Sequence, residues 1–217
     1  MNFEQARYNM IEQQIRPWEV LNQAVLDLIS EIHREDFMPE SYRELALADI
    51  QIPLAHGEVT MTPKVEARLL QSLDIQPGDN ILEIGTGCAY LTALLAKSGR
   101  QVTSVDIYRD FTGQAVDKLK RYGISNVRLD TGDAVRGWGA PDRYDAIAVT
   151  GSVPVLDTCF QEQLSVGGRL FMIVGRSPVM EALLITRMGN HEWSRESLFE
   201  TDLPPLIGAG VPEEFKL

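Results

Sequence analysis

From Gln76 onward, short continuous apolar runs alternate with segments of helical periodicity. A Gly-x-Gly turn, Gly85-Thr86-Gly87, directly follows the first run, and two β-rich stretches near the C-terminus are separated by Gly189-Asn190. Together these predict an α/β fold: a Rossmann-like, doubly wound, mostly parallel sheet closed by a C-terminal antiparallel hairpin and preceded by an N-terminal helical extension.

The extension and its loop occupy residues 1–75, and the Rossmann-like domain residues 76–217. Asn22 is placed to cap a helix whose Val25, Leu26, Leu28, Ile29 and Ile32 recur at helical spacing. Pro39 opens a short helix running to Leu47, and Thr62-Pro63 reads as N-cap and first turn of a third, ahead of Val65, Leu69, Leu70 and Leu73. Between them, Ile50 to Met61 has no helical period and carries His56-Gly57-Glu58. In the second region strands are predicted near 80–84, 101–105, 126–130, 144–149 and 168–174, with helices at about 89–97, 111–121 and 155–164. The stretches 181–188 and 192–199, joined through Gly189-Asn190, form the hairpin.

Composition narrows the partners. The 217 residues carry 20 Lys and Arg against 31 Asp and Glu, a formal net charge of −11. Nucleic acid and anionic membrane would therefore be repelled. Two cysteines, Cys88 and Cys159, and three histidines offer neither a disulfide framework nor a metal site. With no run of membrane-spanning length and no basic start followed by an apolar stretch, the expected compartment is the cytoplasm.

The chemistry gathers at the strand ends. Gly85 and Gly87 let the backbone turn tightly and approach a ligand at the start of the next helix. A dinucleotide site continues to a third glycine or alanine, where this chain has Tyr90. Glu83, two residues before Gly85, would oppose a pyrophosphate but suits an ammonium or a sulfonium. Asp106 ends the second strand, about twenty residues beyond the glycines, where an acidic side chain accepts both ribose hydroxyls. Gly132-Asp133-Ala134 after the third strand is a turn suited to an adenine edge, and the fourth predicted strand reaches the same rim at Thr150. These features predict an S-adenosylmethionine site.

The same residues resemble the class I methyltransferases. A longer match, over roughly residues 30–175, resembles the protein-L-isoaspartate (D-aspartate) O-methyltransferases. It rests on Arg34-Glu35-Asp36-Phe37-Met38-Pro39-Glu40 with Tyr42-Arg43, on Ile52-Pro53-Leu54-Ala55-His56-Gly57, and on Ile81 to Tyr90 against the family's "VLEIGTGSGY". Asp145 to Thr150 and Leu164 to Leu170, leading to a last strand ending Val174-Gly175, extend it.

The resemblance implies methyl-ester formation on the free α-carboxyl of isoaspartyl residues, for protein repair, on protein or peptide substrates. It implies that Glu83, Gly85, Gly87, Asp106, Ile107, Asp133 and Ala134 contact S-adenosylmethionine and its product S-adenosylhomocysteine, and the turns and strand ends described above add Ile84, Thr86, Gly132 and Thr150 to the expected site. The loop from His56 to Pro63 would then cover the reacting carboxylate, making His56, Glu58, Thr60, Met61 and Thr62 the candidate catalytic residues.

Where the family reads "HGQTIS.P", this chain places Glu58 for glutamine, Val59 for threonine and Met61 for serine. A thioether donates no hydrogen bond, so the donor to the acceptor would have to come from Thr60, Thr62 or backbone. Glu58 would oppose a carboxylate acceptor, or else deprotonate a hydroxyl. Methylation of a small-molecule hydroxyl or carboxyl, a nicotinamide-dependent oxidoreductase, which Tyr90 and Glu83 disfavour, and a non-catalytic cofactor-binding module are the alternatives.

Overall fold

The computed structural model describes residues 2–140 and 143–210. Near the N-terminus lie α1 (Phe3–Met10), α2 (Gln23–Glu31) and α3 (Pro63–Leu73). Asn22 caps α2 as expected, its side chain accepting from the N–H groups of Ala24 and Val25 at 3.0 and 3.4 Å. The segment opened by Pro39 is a 3-10 helix over Glu40–Leu45 rather than an α-helix.

Alternation then follows as predicted: β1 (Asn80–Ile84), α4 (Tyr90–Ser98), β2 (Gln101–Asp106), α5 (Arg109–Arg121), β3 (Val127–Thr131), β4 (Tyr144–Val153), β5 (Leu164–Arg176), β6 (Val179–Gly189) and β7 (Glu192–Thr201). These strands make one sheet in the order β3-β2-β1-β4-β5-β6-β7. Pairing is parallel from β3 to β5, and β6 and β7 are antiparallel. Chain order reverses between β1 and β4, so a crevice opens beyond their carboxyl ends, where α/β sheets bind ligands.

The helix expected at 155–164 is absent. That stretch is irregular, with one 3-10 turn at Gln161–Gln163. Asp157 turns its carboxylate onto the N–H of Cys159 at 3.2 Å, a local bond that competes with helix formation. Leu164 is already committed to β5 through its pairing with Tyr144. The apolar residues Leu156, Cys159 and Phe160 nevertheless reach the core, packing with Trp138 and Leu206 over one face of the sheet.

The other face lies under α3, α4 and α5, in a core that runs from Ile32 through Met61, Leu69 and Tyr90 to Leu203. The N-terminal elements are tied into it by Arg34, whose side chain is wholly buried. Its Nε donates to Glu66 at 2.9 Å, Nη1 to the Ala46 carbonyl at 2.6 Å, and Nη2 to Thr60 Oγ1 and the Met61 carbonyl at 3.0 and 2.8 Å. One guanidinium thus fixes α3, the 46–48 turn and the loop that the sequence singles out. Arg7 pairs with Glu35 beside it.

Candidate active site

At the end of β1 the chain turns through Gly85 at φ +98°. A Cβ there would stand 2.1 Å from Thr150 Oγ1, so glycine is required both by its dihedral and by its neighbour. Thr150 donates to the carbonyls of Ile84 and Gly85, at 2.8 and 3.0 Å, and so clamps the turn from β4. From β2, Asp106 completes it: one carboxylate oxygen accepts the N–H of Gly87 and the other that of Tyr108, both at 2.9 Å. Burial pushes the Asp106 carboxyl above its usual range, against those backbone donors.

The turn opens on a cleft whose empty space, open solvent included, is about 730 Å³. Of the predicted cofactor residues, Ile84, Gly85, Gly87, Asp106, Ile107, Gly132, Asp133, Ala134 and Thr150 line it. Asp133 accepts the N–H of Val135 at 3.0 Å through one oxygen.

Two predicted residues stand elsewhere. Thr86 is buried, bonded through its hydroxyl to Ser104 at 2.7 Å. Glu83, expected to face a cation in the cleft, lies behind the turn at 0% exposure and does not line the cleft. Its side chain alternates onto the α4 face of the sheet, where Oε2 accepts from Thr92 and Ser104 at 2.5 and 2.6 Å. Its Oε1 is buried with no partner among the described residues. Burial raises this carboxyl to about 8 despite the two hydroxyl donors, so near neutrality Glu83 is mostly uncharged.

The loop after Ile52 folds into a tight hairpin, with Leu54 N–H bonded to the Glu58 carbonyl at 2.8 Å and Thr60 N–H to the Ile52 carbonyl at 2.9 Å. His56 at its tip, in the left-handed region at φ +62°, stacks on Tyr108 with centroids 3.9 Å apart. Its Nε2 lies 3.0 and 2.9 Å from the two oxygens of Asp110. His56 therefore docks the loop on the start of α5, and this places Glu58 inside the cleft near Asp106. Partial burial, then Asp106, raise the Glu58 carboxyl above its usual value, with His56 opposing.

Met61 and Thr62 line a second cavity, whose walls include Trp18, Lys64 and Leu203; Leu203 is shared with the first. Met61 is packed in the core at 5% exposure. Thr60 lines neither cavity; its hydroxyl accepts from Arg34 and from the N–H of Ile52, at 3.0 Å each. Thr62 occupies the N-cap position of α3, but its side chain makes no capping bond, and Oγ1 is buried without a partner among the described residues.

Sequence reasoning missed one wall of the cleft. Leu203-Pro204-Pro205-Leu206-Ile207 crosses the end of β4 and lines the cleft opposite Ile107 and Tyr108. Ser152 holds it: Ser152 N–H donates to Pro204 O at 3.0 Å, Leu206 N–H to Ser152 O at 2.8 Å, and Ser152 Oγ to Leu203 O at 2.7 Å. The paired prolines were a signal of extended chain, but nothing local said which strand they would meet.

The sequence model of the protein-L-isoaspartate(D-aspartate) O-methyltransferase family matches residues 5–208, spanning both cavities, the loop and the Ser152-bound segment. The chain belongs to this family. A protein-L-isoaspartate O-methyltransferase of Rhodopseudomonas palustris is 35% identical over 201 residues, 92% of each chain. One from Brucella anthropi is 33% identical over 95% of each. In structure, a Plasmodium falciparum chain assigned as a protein-L-isoaspartate O-methyltransferase, crystallised with S-adenosyl-L-homocysteine, superposes with a TM-score of 0.78 at 18% identity. That superposition covers 95% of this chain and 98% of the other, and supports the fold.

Proposed function

We propose that the protein is an S-adenosylmethionine-dependent methyltransferase that esterifies the free α-carboxyl of isoaspartyl residues in damaged proteins or peptides, the ester then closing to a succinimide for repair. The family match over residues 5–208 carries this reading. The cleft fits the cofactor chemically: among the described residues its charged lining is Glu58, Asp106 and Asp133, all acidic, which suits a cation-bearing ligand.

In this reading the cofactor supplies an electrophilic methyl group on a sulfonium. Asp106 accepts the ribose hydroxyls with the lone pairs its two backbone bonds leave free. Gly85 and Gly87 admit the ligand close to the backbone. Ile107 and Ala134 cover the adenine faces, and the free oxygen of Asp133 accepts from its amino group. Ile84 and Thr150 set the floor, while Glu83 and Thr86 support the turn from behind.

A carboxylate acceptor is ionised at neutral pH, so the chain need supply no general base. Its task is to hold oxygen and methyl in line at about 3 Å, a proximity effect worth several kcal/mol. Thr62, whose Oγ1 is buried without a partner among the described residues and which lines the cavity beside Met61, is the donor this reading assigns to the acceptor. Thr60 is held by Arg34 and positions the loop, as His56 does from its tip. Glu58 lines the cofactor cleft, whereas Met61 and Thr62 line its neighbour.

The free Cys88 and Cys159 suit a reducing cytoplasm. No described helix is long and apolar enough to cross a membrane, and the net charge of −11 disfavours a nucleic-acid substrate. The test is production of S-adenosylhomocysteine with an isoaspartyl peptide and with its normal aspartyl counterpart. Turnover confined to the isoaspartyl peptide supports the reading, and equal turnover, or none, rejects it.

A further inference from the structure

The sequence gives the task of meeting a cofactor's positive charge to Glu83, but the fold hides that carboxyl behind the turn and holds it mostly neutral. Inside the cleft the position is taken by Glu58. Among the described residues, no lysine, arginine or histidine lines the cleft with it. Asp106 and Asp133 each spend oxygens on backbone N–H groups that shape the walls. Among the described residues, Glu58 neither accepts a side-chain hydrogen bond nor forms an ion pair, and its loop is fixed in place by His56 on Tyr108 and Asp110. It is a pre-positioned carboxylate in the cleft, and among the described residues the one group of opposite charge that acts on it, His56, is itself bonded to Asp110.

We infer that Glu58 makes the cleft select its ligand by charge, favouring the sulfonium of S-adenosylmethionine over the neutral thioether of S-adenosylhomocysteine. This rests on the cofactor reading above. The two ligands share adenine, ribose, carboxylate and ammonium, so contacts to those groups hold both alike, and only a group that senses the sulfonium can separate them. A carboxylate in a partly desolvated cleft attracts a nearby cation strongly enough to shift affinity about tenfold. The result is a site that releases product as its charge is lost, which limits product inhibition.

Calorimetric titration of parent, Glu58→Gln and Glu58→Asp proteins with S-adenosylmethionine, S-adenosylhomocysteine and an isostere bearing an amine in place of the sulfonium tests this. Glu58→Gln is expected to weaken S-adenosylmethionine and the amine isostere about tenfold while leaving S-adenosylhomocysteine within about twofold. Glu58→Asp should retain part of the preference. An equal loss for all three ligands would make Glu58 a shaping residue and overturn the inference, as would an unchanged ratio. If the parent bound none of them, the cofactor reading itself would fail, a result distinct from either.

Discussion

Replacing Asp106 by alanine removes a group that acts twice. In the free protein its carboxylate satisfies the N–H groups of Gly87 and Tyr108, both at 2.9 Å, and so sets the curvature of the glycine turn. Hydrogen bonds to a charged acceptor contribute about 1.5–3 kcal/mol each, less where water can replace the carboxylate, so the loss of two should cost about 2–4 kcal/mol of stability. Ligand affinity should fall further. Loss of the ribose contacts at a similar 1.5–3 kcal/mol corresponds to about 10- to 150-fold in Kd. Asp106→Asn, which keeps the shape and one acceptor, should fall between parent and alanine. The assay is calorimetric titration with S-adenosylhomocysteine, with circular dichroism and thermal melting to establish that each variant is folded. A folded Asp106→Ala protein that binds within about threefold of the parent would refute the assignment of Asp106 to the ribose.

Three further variants probe the site. Thr62→Val should leave stability unchanged or slightly raised, because an unpartnered buried hydroxyl is removed and no capping bond exists to lose; kcat/KM for isoaspartyl peptide should fall about tenfold, and a melting loss near the ~1 kcal/mol of a true cap would contradict the geometry. Gly85→Ala should cost about 2–5 kcal/mol, from strain at φ +98° plus displacement of the Thr150 hydroxyl from its two carbonyl partners, and denaturant unfolding would reveal it. Glu83→Gln tests the buried carboxyl through pH. Its folded value near 8 exceeds the ordinary glutamate value, so the folded state holds a proton that the unfolded state releases, and the parent loses stability as pH rises from about 4.5 to about 8. Over that window the glutamine variant should gain relative to the parent, and parallel stability curves would show that Glu83 ionises normally.

Much of this was legible along the chain. Short apolar runs such as Ala146 to Val149, and Ile81 to Ile84 broken only by Glu83, are of strand length and bounded by turn residues, and their order with the intervening helices pointed to the sheet. The Gly-x-Gly turn and Asp106 are local signals, readable because strand ends are where they act. Less accessible were features decided by distant partners. Glu83 looks like a ligand group until the register of β1 against β2 sets it beside Ser104, under α4. The run 155–164 has enough apolar residues for a helix, but Asp157 and the early start of β5 leave it irregular. Thr62-Pro63 marks the helix start correctly, yet nothing local reveals that the threonine hydroxyl makes no capping bond. The Leu203–Ile207 wall depends on Ser152, fifty residues earlier, and no spacing announces that pairing.

The central claim is that this chain transfers a methyl group to an isoaspartyl carboxylate despite Met61 in place of the family's serine. It is tested most directly by incubating the protein with methyl-labelled S-adenosylmethionine and an isoaspartyl peptide, then locating the label by tandem mass spectrometry under acidic quench. The account predicts label on the α-carboxyl of the isoaspartyl residue, with none on the aspartyl control and loss to succinimide on return to neutral pH. Label on a hydroxyl or amine, or an unlabelled peptide from a protein shown to bind the cofactor, would contradict it.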